Sequence, residues 1–434
     1  MALTPASATP APDLGVTSGG LRVITESIPG VRSVAIGIWI GVGSRFERVE
    51  EAGISHFLEH MLFKGTPTHS PEEIAQAFDG LGGEVNAATG KDYTVLYCRV
   101  LDELLDQAMP LLTDMAQRPS FRDLDQEREV VLEEIAMYED DPQDQIHDLA
   151  SRAVFPDQAL GRPVIGTAQV IGSVPEDGVR AYHAGHYTAP NMVVAAAGNV
   201  SHETVMELSE RLLGGLSNAS GEGLFEPASP GPSTLLVKEK ATEQYHLCLG
   251  GRGLSRNDPR RHAQSVLDTI LGGSMSSRLF QEVREKRGLA YSVGTYAVGY
   301  ADAGQVGVYL GTREDNLPVA CEIIGTELRR IGEEPVPPDE LRRAKDHLKG
   351  RLVLGMESTG TRMNRIGRSV LTGTELLTID EIVARVEAVT ADDVQALGAE
   401  HWHPDTMSAA AIGPKGDAIR SAVAHLSPEL AAAS

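Results

Sequence analysis

The chain has 434 residues, 41% of them hydrophobic and 23% charged, enough for two or three domains with cores of their own. A formal charge of −23 argues against nucleic acid as a partner, because such a surface repels phosphate. No stretch approaches the roughly 20 apolar residues that a membrane span needs, so no membrane association is expected.

Residues 1–15, MALTPASATPAPDLG, are rich in Ala, Pro and Thr, without a basic start or an apolar run. They read as a flexible leader, not as a secretory signal or an arginine-rich transit peptide. Cys98, Cys248 and Cys321 are scattered and odd in number, which fits a reducing compartment and no disulfide framework.

In chain order, SVAIGIWIGVGSRFE predicts a strand, and a helix carrying HFLEH follows. The next helix opens at Ser70-Pro71-Glu72-Glu73, with Ser70 as N-cap, Pro71 at the first helical position and Glu73 closing a capping box. GGEVNAATGKDYTVLYCRV predicts two β-rich runs, and long helical stretches cover 101 to 155. Residues 217–233, SNASGEGLFEPASPGPS, read as a linker because their Gly, Pro and Ser oppose regular structure.

Beyond the linker the order repeats. QYHLCLGGRGL predicts a strand, HAQSVLDTILGG a helix, and GLAYSVGTYAVGYADAGQVGVYLGT two more β runs; helices follow from about 316 to 330 and 337 to 370. The expected fold class is α+β, with two duplicated modules, each a mostly antiparallel sheet packed with helices. The modules are expected at 16–216 and 234–434. Neither GxGxxG nor GxxxxGK[ST] stands at a strand-to-helix turn, so a phosphate-cradling site has no support.

Within the first module, His56 and His60 are four apart, so on a helix both imidazoles can face one ion. Glu59 sits beside that face, within reach of a metal-held water without being a ligand. A catalytic zinc takes three protein ligands and an open position. LDQEREVVLEEIAMYED offers Glu127 and Glu134, seven apart on one helical face; one of the pair could complete the set and the other orient a ligand. The surrounding Ile54, Phe57, Leu58, Met61 and Leu62 are apolar, and buried ionisable groups without partners cost several kcal/mol. A metal would satisfy them. His183/His186 and His401/His403 also have metal-compatible spacings, but with no carboxylate or cysteine read beside them they are taken as ordinary surface or core residues.

HFLEHMLFKGT resembles the zinc motif of the insulinase/pitrilysin metallopeptidases, whose histidine–glutamate order is inverted. The resemblance extends through GGEVNAATGKDYTVLYCRV and EREVVLEEI to nearly the whole chain, and the layout is similar to the short members, the mitochondrial processing peptidase subunits and their bacterial homologues. It implies one Zn2+ per chain held by His56, His60 and Glu134, with Glu59 as general base and Glu127 supporting the site. It further implies that Asn86 and Ala87 lie on an edge strand that pairs with extended peptide substrates. Arg284 and Tyr291, in VREKRGLAY, match the family's arginine–tyrosine pair at the scissile carbonyl.

The second module departs from the zinc pattern, with Arg351 opposite Glu134 and Ala344 opposite Glu127. The function implied is zinc-dependent endopeptidase action on extended or unfolded peptides, in oligopeptide degradation or presequence-type processing. The fold implied is half of a clamshell, completed in a homodimer whose Arg/Tyr pair acts in trans. The setting expected is the cytoplasm of a bacterium; the absence of a transit peptide disfavours the mitochondrial matrix. A non-catalytic scaffold subunit of the same fold is the competing reading, and the complete set His56, Glu59, His60 and Glu134 argues against it.

Overall fold

The computed structural model describes residues 11–219, 225–229 and 231–433. The first ten residues of the expected leader, and residues 220–224 and 230 of the expected linker, lie outside the described residues.

The first half runs β1 Asp13–Val16, β2 Arg22–Ser27, β3 Ser33–Ile40, α1 Ile54–Met61, α2 Pro71–Gly80, β4 Glu84–Thr89 and β5 Thr94–Leu101. It continues with α3 Leu105–Gln117, α4 Leu124–Asp140, α5 Pro142–Val154, α6 Ala168–Ile171, α7 Glu176–His186, β6 Met192–Gly198 and α8 His202–Leu213. The second half runs β7 Leu235–Glu239, β8 Tyr245–Gly253, α9 Arg261–Leu271, a π-helical turn Phe280–Glu285, β9 Ala290–Gly299 and β10 Gly304–Thr312. It ends with α10 Leu317–Glu333, α11 Pro338–Gly355, α12 Thr359–Thr372, α13 Ile379–Ala388, α14 Ala391–His401, β11 Ser408–Gly413, α15 Gly416–Leu426 and α16 Pro428–Ala432.

Two mixed sheets form. One has the order β1-β2-β6-β3-β5-β4, the other β7-β11-β8-β10-β9. In each, a single parallel pair (β2 with β6, β7 with β11) joins an otherwise antiparallel array. Strand for strand the second order repeats the first without β1, so the α+β fold class and the internal duplication expected from the sequence are present. The inner strand β6, MVVAAAG, is buried along its whole length, as a strand covered on both faces requires. The edge strand β4, EVNAAT, alternates exposed and inward residues.

The chain divides into two compact units that draw on both halves of the sequence. The described residues of the first fall within Met1–Leu132, Val164–Phe225 and Leu354–Thr378; those of the second fall within Glu133–Pro163, Glu226–Val353 and Ile379–Ser434. The first sheet is therefore covered by α12, from the second half: Met363 and Ile366 enter a core with Ile24, Ala35, Trp39, Val95 and Val193. Gly367 permits this approach, since a Cβ there would stand 2.2 Å from Nε1 of Trp39. Glu26, 2% exposed on β2, accepts from Arg362 at 2.5 Å and Arg365 at 3.1 Å, tying the same helix down. In the second unit α5, from the first half, packs Ile146 and Ala150 against Cys248, Ala410 and Ile412 of β8 and β11.

The helical stretches expected over 101–155 are α3, α4 and α5, the first beginning at Leu105 after β5 ends at Leu101. The stretch expected over 337–370 is two helices, α11 and α12, parted at residues 356–358, where the Ser358 side chain caps α12 by accepting from the Thr361 amide at 3.3 Å. Among the described residues no helix is long and apolar enough to cross a membrane.

Candidate metal centre

Helix α1 is only eight residues long and depends on its surroundings for its direction. Its N-cap, Gly53, has φ 99°, and a Cβ there would lie 2.6 Å from the Ile165 carbonyl oxygen and 2.8 Å from Cα of Gly166. Only glycine fits on both counts. The buried Glu47 carboxylate accepts the Gly53 and Ser55 amides, each at 2.8 Å, so two orphan donors of the helix start meet a negative charge. Oγ of Ser55 and the hydroxyl of Tyr182 on α7 share a 2.8 Å hydrogen bond. Ile54, Phe57, Leu58 and Met61 are at most 2% exposed, which leaves His56, Glu59 and His60 on the remaining face.

The second element is α4. The division between the compact units passes through this helix, between Leu132 and Glu133, and the helix itself is continuous. Arg128 anchors it: its guanidinium donates to the Ile171 and Val174 carbonyls, the latter at 2.8 Å, and stands 5.4 Å from the Phe57 ring centroid on α1. So placed, α4 brings Glu134 to the two histidines. His56, His60 and Glu134 each offer a ligand atom, and these atoms lie within 4.8 Å of one another. Among the described residues no other group of three or more such side chains meets that condition.

Charge and hydrogen bonding suit these donors to a divalent cation. Burial, and then the neighbouring His60, push the His56 imidazole down to about 4, so it is neutral near pH 7, the form that ligates metal. His60 Nδ1 donates to Glu127 Oε1 at 2.8 Å, which leaves Nε2 as the nitrogen that would ligate a metal. Glu127 is 3% exposed, and its other oxygen accepts Lys64 Nζ at 2.5 Å. The alternatives that spacing left open at Glu127 and Glu134 thus separate geometrically: Glu134 joins the donor group, and Glu127 holds a histidine. Glu59 lies on the same helix face, and its Oε2 accepts the Thr89 hydroxyl at 2.5 Å.

Thr89 ends β4, which forms the edge of its sheet. Asn86 on that strand is exposed and Ala87 is 8% exposed; Asn86 Oδ1 accepts the Ala87 amide at 2.8 Å. In the second unit, the Arg284 guanidinium stands 4.5 Å from the Tyr291 ring centroid and 4.7 Å from that of Phe280. Arg284 lies in the π-helical turn, and Tyr291, 77% exposed, lies on the edge strand β9.

The set-aside histidines need one correction. His401 and His403 do have carboxylates beside them, Glu400 at 3.2 Å and Asp405 at 3.7 Å, but Glu400 is also held by Arg260 at 2.6 Å and neither histidine belongs to a group of three ligands. His183 has its Nε2 on the Ala116 carbonyl oxygen at 2.8 Å and stacks on Tyr187. The sequence did not point to Glu47, Ser55, Lys64, Thr89, Arg128 or Tyr182 around the candidate centre; each acts through contacts that the local pattern does not specify.

Comparison with known proteins places these residues in a family. The profile described as insulinase, peptidase family M16, matches residues 22–168, and that described as the M16 inactive domain matches 173–348. A relative from Streptomyces coelicolor, named an uncharacterized zinc protease, is 46% identical over 389 residues, 87% of this chain and 84% of its own length. The chain belongs to the M16 (insulinase) peptidase family. A Bacillus subtilis relative, also named an uncharacterized zinc protease, is 42% identical over 92% of this chain and 97% of its own length. The crystal structure of a protease from Helicobacter pylori has a similar fold, with a TM-score of 0.87 at 19% identity, covering 94% of this chain and all of the other.

Proposed function

We propose that this M16 chain is a zinc-dependent endopeptidase that cleaves extended or unfolded peptides, in oligopeptide degradation or presequence-type processing. The observation that carries this reading is the meeting of His56, His60 and Glu134 within 4.8 Å, with Glu59 beside them on α1. His56, His60 and Glu134 would hold one Zn2+, which supplies Lewis-acid polarisation of water and of the peptide carbonyl. Glu59 takes the proton from the attacking water and returns it to the leaving amine. Glu127 keeps His60 in the tautomer that ligates through Nε2. The open edge of β4 around Asn86 and Ala87 offers main-chain hydrogen bonds to a substrate added as a strand, which favours unfolded segments over folded proteins. Arg284 and Tyr291 stabilise the oxyanion.

The assembly proposed is a cytoplasmic homodimer in which the Arg284–Tyr291 pair of one copy serves the zinc of the other. Mixing inactive Glu59→Gln with inactive Tyr291→Phe protein under subunit exchange should recover activity; no recovery argues against action in trans.

The chemistry is tested by zinc analysis of wild-type and Glu59→Gln protein, with cleavage of a mixed peptide library by each. Both should hold zinc, and Glu59→Gln should lose activity on the order of 10²- to 10⁴-fold. Equal activity in the two proteins, or no zinc in either, overturns the proposal in favour of a scaffold role.

A further inference from the structure

We infer that Thr89 is a positioning residue for Glu59, holding its carboxylate in one orientation for proton transfer. The inference rests on the peptidase reading above and adds a residue to it. Strand β4 has the pleat's period of two, so Val85, Ala87 and Thr89 turn inward while Glu84, Asn86 and Ala88 are exposed. Thr89 is thereby aimed at α1, and its hydroxyl donates to Glu59 Oε2 at 2.5 Å.

A threonine hydroxyl has one proton to give. Thr94, the register partner of Thr89 across the β4–β5 pair, has its Oγ1 3.4 Å from Oγ1 of Thr89. Thr94 sends its own proton to the Val42 carbonyl oxygen at 2.9 Å, so it makes no demand on Glu59. The proton of Thr89 is committed to the carboxylate, and the carboxylate is pinned to the strand by Oε2. The carboxyl plane of the general base is then held in one orientation relative to His56 and His60. Because β4 is also the strand proposed to pair with substrate, base orientation and substrate alignment share one element.

The test compares wild type, Thr89→Val, Thr89→Ser and Glu59→Gln on a single fluorogenic peptide, with zinc content and Tm measured for each. Valine keeps the shape and β preference of threonine and removes the hydroxyl. Thr89→Val is expected to lower kcat roughly 10- to 100-fold, as for loss of a hydrogen bond to a charged group, with KM, zinc content and Tm close to wild type. Thr89→Ser is expected to restore kcat. A Thr89→Val protein with wild-type kcat, or one whose loss lies in KM, zinc content or Tm, overturns the inference. Glu59→Gln separates the two levels: wild-type kcat in that variant sinks the peptidase reading itself, whereas its inactivity beside a fully active Thr89→Val sinks only the role of Thr89.

Discussion

His60 and Glu127, sixty-seven residues apart, are joined by a 2.8 Å hydrogen bond from the imidazole Nδ1 to a carboxylate that also accepts Lys64. The buried carboxylate is flanked by two donors, so removing its charge leaves Lys64 without its counterion and His60 with a weaker acceptor. Glu127→Gln should therefore weaken zinc binding about 10- to 100-fold, as outer partners of metal-ligating histidines typically do. Competition with a chromophoric chelator measures this; unchanged affinity would contradict the arrangement.

The start of α1 admits no side chain at residue 53. Gly53→Ala combines a left-handed φ with contacts of 2.6 and 2.8 Å to backbone atoms of Ile165 and Gly166. The left-handed strain alone costs about 1–3 kcal/mol, and the contacts add to it. A lower denaturant midpoint, together with reduced zinc content, is the expected result.

Glu26 should be the most sensitive surface-distant carboxylate of its unit. Glu26→Ala leaves the largely buried Arg362 and Arg365 facing each other without their anion. Breaking a buried ion pair from one side costs roughly 3–5 kcal/mol, so urea unfolding should show a clear loss of stability. A change within error would mean that water compensates the two guanidinium groups.

Asp268 supplies a pH dependence. It lies on α9, and one of its carboxylate oxygens is buried without a hydrogen-bond partner among the described residues. Burial raises its pKa, against the lowering effects of a Thr295 hydrogen bond and the Arg351 charge. The folded state thus holds the proton to higher pH than the unfolded chain, whose aspartates titrate near about 3.9. Stability falls as pH rises from that value through the raised folded pKa, and the cost persists above it. Asp268→Asn should raise Tm at pH 7, with the difference shrinking as the pH drops below the unfolded value. A difference that is flat with pH, or of opposite sign, would refute this.

Much of the architecture could be read from local chemistry. The capping box at Ser70 and Glu73 forms with both bonds, 3.2 Å from the Glu73 amide to the serine oxygen and 2.8 Å from the Ser70 amide to the glutamate. The repeated order of strands and helices was legible because each module carries its own periodic pattern. Of the candidate metal centre, the histidine pair and the two glutamates were visible through helical spacing, which is local geometry. Thr89, Glu47 and Tyr182 were not, because a threonine in a strand or a glutamate before a helix looks the same whether or not it meets a distant carboxylate or amide. The break at residues 356–358 was missed although Gly355 ends α11 there, because the helical pattern resumes within a few residues. Nor does any periodicity tell α5 or α12 which sheet to cover.

The dependence of the first sheet on a helix from the second half bears on how the protein is made. The first sheet waits for α12, whose residues 359–372 leave the ribosome long after its last strand, β6, at 192–198. During that interval Trp39, Val95 and Val193 lack their cover, and Glu26 lacks both arginines. A nascent chain halted at the mid-sequence linker would expose this apolar face to chaperones or to aggregation. For the same reason, a fragment ending there would be missing a wall of its core, and expressing residues 359–372 alongside it in trans should be what rescues it.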